Sequence, residues 1–439
     1  MHCERLTLSG DAATLAHELR ELVPPPESVA DTVSEIIARV RASGDDALRF
    51  YTREFDTRGE TPAAVVVPDA ELDTALERLD PAIRSALELA IANVTKVAQA
   101  QLAADRTIAF DTTSGMPGGH EVRIREVPLA RGAVYVPAGR APYPSTVVMG
   151  VVTAKVAGVR EIAVCSPPGH SGNVDPVILA AWRLAGATVA YRMGGAQAVA
   201  ALAYGTERVA PVDVIVGPGN LYVQEAKRQV FGQVAIDGIA GPSDLVAIAD
   251  ASGDEPVDPE ALALDLLAQA EHGAGSIVIL LSDSGELLDA VQERIVAEDG
   301  GPSQAPGEEA IVRLVQVAEL HQALVVAESF APEHLQLMGK GAEAFAADVR
   351  RAGCVLVGPR SGTAFADYVA GSNHVLPTNG AARFASALSP LHFRRRFSEV
   401  RIAAGADGLA RAAGPLARAE GFELHARSME ARMQDNQGR

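Results

Sequence analysis

GAVYVPAGRAPYP, residues 132–144, is a short apolar run followed at once by a turn rich in Gly and Pro. The phrase returns three times, as EIAVCSPPG at 161–169, ATVAYRMGGAQ at 187–197 and VDVIVGPGN at 212–220, with Ala-rich helical stretches between. Apolar runs without polar alternation suit strands covered on both faces. A strand, a glycine turn and a helix, repeated in that order, predict a parallel sheet flanked by helices. Small ligands of such sheets bind at the carboxyl ends of the strands, where these turns fall.

Working outward, a second α/β section begins near LVAIAD at Leu245. It runs on through a helix from Pro259 to His272, the strand IVILL, another strand near ALVVA (323–327) and a third, GCVLVG, from Gly353. Upstream, Val29, Val33, Ile36, Ile37 and Val40 fall at helical spacing after PPPES (24–28), with Gly44 as the expected stop and more helix to about residue 105. AEDGGPSQAPGEE (297–309) has the composition of a surface loop, and the chain after Pro390 reads as a charged helical tail. The expected fold is therefore α/β: two Rossmann-like parallel-sheet domains, a small N-terminal arm and a helical C-terminal tail. The arm covers 1–25, the first domain 26–130 with 245–388, the second 131–244, and the tail 389–439. A standard GxGxxG is missing. GPGNLY (217–222) lacks the third glycine, and GKGAEA (339–344) has no surrounding βαβ unit with a ribose-binding acid.

Composition narrows the function classes. With 38 basic against 56 acidic residues the net charge is −18, and aromatics are only 4%, which speaks against nucleic acid or an anionic membrane as partner. Cys3, Cys165 and Cys354 are far apart, without a CxxC pair, so neither a disulfide framework nor a Cys-rich zinc site is expected. The apolar run 147–159 is broken by Lys155, and MHCERLTLSG has no signal-peptide h-region, so the expected location is the cytoplasm.

Four segments carry candidate chemistry. In DLLAQAEHG (265–273), Asp258 is the expected N-cap and Pro259 the first helical residue, which sets Leu262, Leu266 and Gln269 on one stripe and His272 on the next turn. Buried polar groups there need partners, so the pair is either two metal ligands or two hydrogen-bonded core residues. In SFAPEHLQL (329–337), Pro332 suits a first helical position, placing Glu333 and His334 in the opening turn, where the helix dipole would keep the imidazole neutral. That suits a general base beside a water-activating carboxylate, and equally a capping Glu with a bonded His. The loop SGTAFADYVAGSNHVLPTNG (361–380) offers Asp367 and His374 as ligands or turn residues, and EGFELHARS holds Glu420, Glu423 and His425 in a polar tail.

Together these segments resemble the histidinol dehydrogenase family over nearly the whole length. YVPAG, GGAQA, GPGN, AGPS, QAEHG, APEHL, D-Y-x-x-G-x-N-H-V-L-P-T and E-G-x-x-x-H occur in the family's order. The resemblance implies oxidation of L-histidinol to L-histidine through L-histidinaldehyde with two NAD⁺, the last step of histidine biosynthesis. It implies one Zn²⁺ per subunit on Gln269, His272, Asp367 and His425, an N/O set suited to zinc. It further implies Glu333 and His334 as proton acceptors, and substrate contacts from Ser243, Gln269, His272, His334, Asp367, Glu420 and His425. NAD⁺ falls to Tyr135, Gln197 and Asn220, and a homodimer shares sites because the tail comes from the partner subunit. Asp244 stands where the family usually has Glu, and His374 is left without a role. Cys165 and Cys354 read as small core residues.

Rival readings are a zinc- and NAD-dependent dehydrogenase of another small polar alcohol, such as a sulfonated diol, on the same scaffold; a zinc hydrolase using Glu333; and a two-lobed ligand-binding protein. Glu420 and His425 favour a cationic, imidazole-bearing substrate over the first, and Tyr135, Gln197 and Asn220 speak against the second. The third leaves Glu333 and His334 idle.

Overall fold

The computed structural model describes residues 2–23, 28–60, 63–111, 118–138, 141–252, 257–273, 275–298 and 310–433. Most of PPPES, the Gly139–Arg140 step of the first glycine turn and nearly all of the 297–309 stretch lie outside these residues. The described chain divides into two units, residues 1–101 with 129–393 and residues 102–128 with 394–439.

Two parallel sheets build the first unit. All four opening runs are strands: Arg131–Tyr135, Glu161–Ser166, Val189–Arg192 and Val214–Val216, joined at one edge by Ala235–Ile236. Val189–Arg192 forms the other edge, then come Glu161–Ser166, Arg131–Tyr135, Val214–Val216 and Ala235–Ile236. Numbered within the sheet this is 3-2-1-4-5, the Rossmann order, with its switch point between Arg131–Tyr135 and Val214–Val216. Successive residues serve opposite faces. Val134 packs against the helices Pro144–Ala157 and Pro176–Ala185, whereas Ala133 and Tyr135 meet Ala30–Tyr51, Gly195–Tyr204 and Leu221–Val230. The upstream helices Asp69–Glu77 and Pro81–Ala100, grouped with residues 245–388 in the sequence, lie on this sheet.

The six-stranded sheet repeats the order. Ile311–Gln316, Ile277–Ser282, Asp244–Ala249, His334–Met338 and Cys354–Val357 run as 3-2-1-4-5, and His2–Thr7 pairs in parallel outside Ile311–Gln316. The residues read as an N-terminal arm thus add a strand to this sheet, and their helix Ala12–Glu21 packs with Leu320–Phe330 on one face. Helices Pro259–Ala270 and Gly285–Glu298 cover the other.

Several local expectations are corrected. ALVVA is not a strand: it lies within the helix Leu320–Phe330, whose start is fixed by the Gln322 side chain accepting from the N–H groups of Ala318 and Glu319. Gly44 does not stop its helix. At φ 50° it kinks Ala30–Tyr51, and the chain resumes because the Glu207 carboxylate accepts the freed N–H of Asp45 at 2.8 Å. Pro332 does not open a helix either; His334 is the first residue of a strand buried on both faces, and the preceding helix ends at Ala331 in a left-handed conformation.

In the second unit, Arg106–Phe110, His120–Pro128 and Arg394–Ile402 form a three-stranded antiparallel sheet. The tail therefore opens with a strand, its Arg396 bonded to buried Glu126, before the helices Ala406–Ala419 and Glu423–Glu430. Arg418 ties those helices together through Glu423 and Glu430. Among the described residues no helix is long and apolar enough to cross a membrane.

Candidate active site

The two sheets place the candidate residues at opposite strand ends. Tyr135 closes its strand, and Gln197 and Asn220 follow Val189–Arg192 and Val214–Val216, all at carboxyl ends as the strand-end rule expects. Ser243, Asp244, Glu333 and His334 instead gather at the amino ends of Asp244–Ala249 and His334–Met338. Gln269 and His272 precede the amino end of Ile277–Ser282. That rule locates the first group and misses the second.

The centre of the second group is His334, 2% exposed. Its Nδ1 is 3.8 Å from the Glu333 carboxylate and its Nε2 is 3.4 Å from Asp367. Neither ring nitrogen has a hydrogen-bond partner among the described residues. Burial pushes the imidazole down, but Asp367 and Glu333 outweigh it and hold its pKa above the ordinary histidine value. Flanking carboxylates, not the helix dipole that the sequence suggests, set its proton affinity, and they raise it, which strengthens the ring as a proton acceptor.

Glu333 is held on three sides. Its carboxylate accepts from the Ser243 hydroxyl at 2.5 Å and from the Asp244 N–H at 3.1 Å, and its own N–H donates to the Asp244 carboxylate at 2.6 Å. Burial, and after it the Asp244 charge, raise the Glu333 carboxyl to about 7 against the pull of His334 and Ser243. A carboxyl poised there can trade a proton with water near neutrality. The Gln269 amide donates to Ser243 Oγ, linking the helix Pro259–Ala270 to this group.

The helix runs from Pro259 with Asp258 as its N-cap, as the sequence predicts, and Leu262, Leu266 and Gln269 are buried on its stripe. His272 is not on that stripe: the helix ends at Ala270 and His272 is exposed in the following turn. The protein around its ring nevertheless lowers its pKa, against the opposing pull of Asp367. Asp367 lies in the short helix Thr363–Tyr368; burial raises its carboxyl, and His334, His374 and His272 together bring it below the usual range.

His374, without a role in the sequence, is a brace. Its Nδ1 donates to the main-chain carbonyl of Asp367 at 2.7 Å, which leaves Nε2 to accept from the Thr146 hydroxyl at 3.3 Å. Burial foremost lowers its pKa, consistent with that neutral tautomer. Asn373 beside it donates to Met149 O and Thr153 Oγ1. The Asp367 loop is thereby tied to the buried helix Pro144–Ala157 of the other sheet.

For a metal, among the described residues no three His, Cys, Asp or Glu side chains cluster as a ready site. The donors near His334 are the Gln269 amide, the His272 imidazole and the Asp367 carboxylate, the last two with their pKa values lowered. These types fit zinc but fall one short of a tetrahedral set before substrate. His425 and Glu420 belong to the second unit, in and just before the helix Glu423–Glu430.

On the five-stranded sheet, Tyr135 Oη accepts from Gly195 N–H at 3.1 Å, and Gln197 is 1% exposed, its Nε2 without a hydrogen-bond partner among the described residues. A Cβ on Gly217 would collide with the Tyr135 carbonyl, so only glycine lets that turn lie so close. Asn220, exposed, caps the helix Leu221–Val230 by accepting from Val223 N–H. Two helix N-termini, one with the Gln197 amide in its opening turn, are donors of the kind an anionic dinucleotide takes.

Arg20 and Asp244 escaped the sequence reading. Asp244 stands in the sequence only as a shorter substitute for Glu, and nothing local marks Arg20 as the partner of a carboxylate 224 positions later.

The histidinol dehydrogenase family model matches residues 24–433. A histidinol dehydrogenase of Rhodospirillum rubrum is 43% identical over 93% of each chain, and one of Parasynechococcus marenigrum is 41% identical over 99% of this chain and 98% of its own. The crystal structure of histidinol dehydrogenase from Elizabethkingia anophelis superposes with a TM-score of 0.88 at 30% identity, covering 99% of this chain and 98% of that one.

Proposed function

The chain belongs to the histidinol dehydrogenase family and is an oxidoreductase of histidine biosynthesis, and on that premise we propose that it oxidises L-histidinol to L-histidine through L-histidinaldehyde. In this reading it uses two NAD⁺ and one zinc ion per subunit, and works as a cytoplasmic homodimer whose sites each borrow Glu420 and His425 from the partner subunit. The observation that supports it best is the buried His334 between the Glu333 and Asp367 carboxylates, its ring nitrogens without a hydrogen-bond partner among the described residues.

Zinc, held by Gln269, His272, Asp367 and a tail His425, would supply Lewis acidity that grips the substrate's amine and imidazole, and NAD⁺ would accept hydride. His334 takes the proton of the substrate hydroxyl as the carbon gives up hydride. Glu333, steadied by Ser243, takes a proton from water, and the oxygen adds to the aldehyde carbon. His334 then takes the hydroxyl proton of the hydrate as the second hydride leaves. The first half-reaction releases one NADH and one proton; the second releases one NADH and two protons, one from the added water through Glu333 and one from the hydrate through His334, so that the product leaves as the carboxylate. Tyr135, Gln197 and Asn220 hold the dinucleotide at the other sheet.

The test is NADH formation by the zinc-loaded protein with excess NAD⁺ and limiting L-histidinol. Two NADH per histidinol is the expected yield. None from histidinol, with turnover of another polar alcohol, would transfer the site to a sister activity. Mixing Glu333→Ala with His425→Ala chains should restore activity, and confirmed mixed dimers without rescue would refute the shared site.

A further inference from the structure

Arg20 lies in the helix Ala12–Glu21, far in sequence from every residue assigned above. Its guanidinium has three holds. Nη1 donates to the Asp244 carboxylate at 2.7 Å, Nη2 donates to the Phe330 carbonyl at 2.6 Å, and the plane sits 3.5 Å over the Phe330 ring. Asp244 is 1% exposed, and its other oxygen takes the Glu333 N–H. Phe330 ends the helix that turns through Ala331 and Pro332 into Glu333. One cation therefore grips both the acceptor of the Glu333 N–H and the chain three residues upstream.

We propose that Arg20 is a positioning residue for Glu333, acting through Asp244. This rests on the reading of Glu333 as the group that activates water. The physical reason is charge balance. Two carboxylates meet here, those of Asp244 and Glu333, with His334 on the far side of Glu333 and, among the described residues bonded to the pair, the neutral Ser243 and Gln269 beyond it. Buried like charges cannot both stay ionised without a counter-charge, and Arg20 is that charge for Asp244. Without it, Asp244 either takes a proton or repels Glu333 from Ser243. Both outcomes move the carboxylate that must face water. The N-terminal strand and helix thus reach the site chemically as well as by packing.

The test is step-specific. Arg20→Met keeps the stem over Phe330 and removes the charge. Oxidation of supplied L-histidinaldehyde should fall at least about tenfold in kcat, a part of the roughly 10²–10⁴ that a positioned base contributes. The first hydride transfer from L-histidinol, read in a single turnover, and the KM for histidinol should stay near those of the parent. Arg20→Lys, which can still pair with Asp244, should recover much of the loss. Asp244→Asn in the Arg20→Met background should also recover activity, because it removes the unpaired charge and keeps an acceptor for the Glu333 N–H. An equal fall in both half-reactions, no fall, or no recovery in the double variant would overturn the proposal. If the parent or Glu333→Gln shows that Glu333 does not serve aldehyde oxidation, the crystal structure of Arg20→Met decides instead. A Glu333 carboxylate displaced from Ser243 Oγ supports the positioning role; one unmoved refutes it.

Discussion

Lys227→Met cuts an ion pair that is almost wholly buried. Lys227 is 2% exposed and its partner Asp237 has a side chain 6% exposed. The ammonium also donates to the Gly217 carbonyl at 3.1 Å, while Asp237 accepts the Gly217 N–H at 2.7 Å. The pair thus clamps both polar groups of one glycine in the turn that carries Asn220. Methionine fills the space of the lysine stem but leaves Asp237 with a single donor and an unbalanced charge. Removing one partner of a buried pair costs about 3–5 kcal/mol, a large share of the roughly 5–15 kcal/mol that holds folded proteins together. Arg84→Met is the internal control: Arg84 and Glu88, both about half exposed, form an i,i+4 pair worth about 0.3–0.5 kcal/mol. Urea titration of the two variants and the parent reads the difference. Lys227→Met should lower the midpoint well below that of Arg84→Met, and the KM for NAD⁺ should rise while that for histidinol holds. A loss under about 1 kcal/mol would refute the argument that burial makes this pair different.

Glu333→Gln should gain stability relative to the parent as pH climbs. A carboxyl with its folded pKa raised to about 7 favours the folded state fully below the ordinary glutamate value and loses that contribution as pH rises through 7. Melting curves at several pH values check the sign, and a parent that gains stability over that window relative to the variant would contradict it. In the parent, aldehyde oxidation should rise with pH around 7 as Glu333 ionises, and a flat profile there would contradict it. Gly353→Ala places a Cβ 2.6 Å from the Glu333 carbonyl, so the chain there must shift. A displacement near 1 Å costs about 10²-fold in turnover, and metal content by atomic absorption should stay unchanged. Chelation should abolish turnover and added zinc restore it; His272→Ala should weaken zinc retention, and retention equal to the parent would remove His272 from the ligand set.

The fold was legible where residues announced their surroundings locally. Four apolar runs, each followed by a glycine turn, marked the five-stranded sheet because its strands are covered on both faces and need no alternation. The failures share a short length. ALVVA is a short apolar run, which satisfies a buried strand and a buried helix equally, and HLQLM is too brief for its polar–apolar alternation to stand out against the Pro before it. Gln322 decided the first for helix, by capping its start. Pairing with Asp244–Ala249 and Cys354–Val357 decided the second for strand, against the helix-starting preference of Pro332. The metal and base candidates were legible only through the order of family motifs. Gln269 and His272 alone fit a bonded core pair as well as a ligand pair, and Arg20 carries no local mark because its partner is 224 residues away in the sequence.

On the proposed reading, the separation of the two groups of candidates accounts for a sequence without the dinucleotide fingerprint. Hydride transfer needs donor and acceptor carbons within about 3–3.5 Å, yet one group lies at carboxyl ends of one sheet and the other at amino ends of the second. A dinucleotide spread across a single Rossmann switch point would keep its nicotinamide on the first sheet. What spans the gap instead is the 361–380 loop, which bears Asp367 at one end and is bolted to the helix Pro144–Ala157 by Asn373 and His374. Because His374 also holds the Asp367 carbonyl, movement of that helix moves a candidate ligand with it. Thr146→Val deletes the hydroxyl that His374 Nε2 accepts from while keeping the volume. Its expected effect is a fall in the rate of hydride transfer with the KM for NAD⁺ little changed, since Tyr135, Gln197 and Asn220 are untouched. A rise in that KM at an unchanged hydride rate would show that the loop helps to bind the dinucleotide and does not set the distance between the two groups.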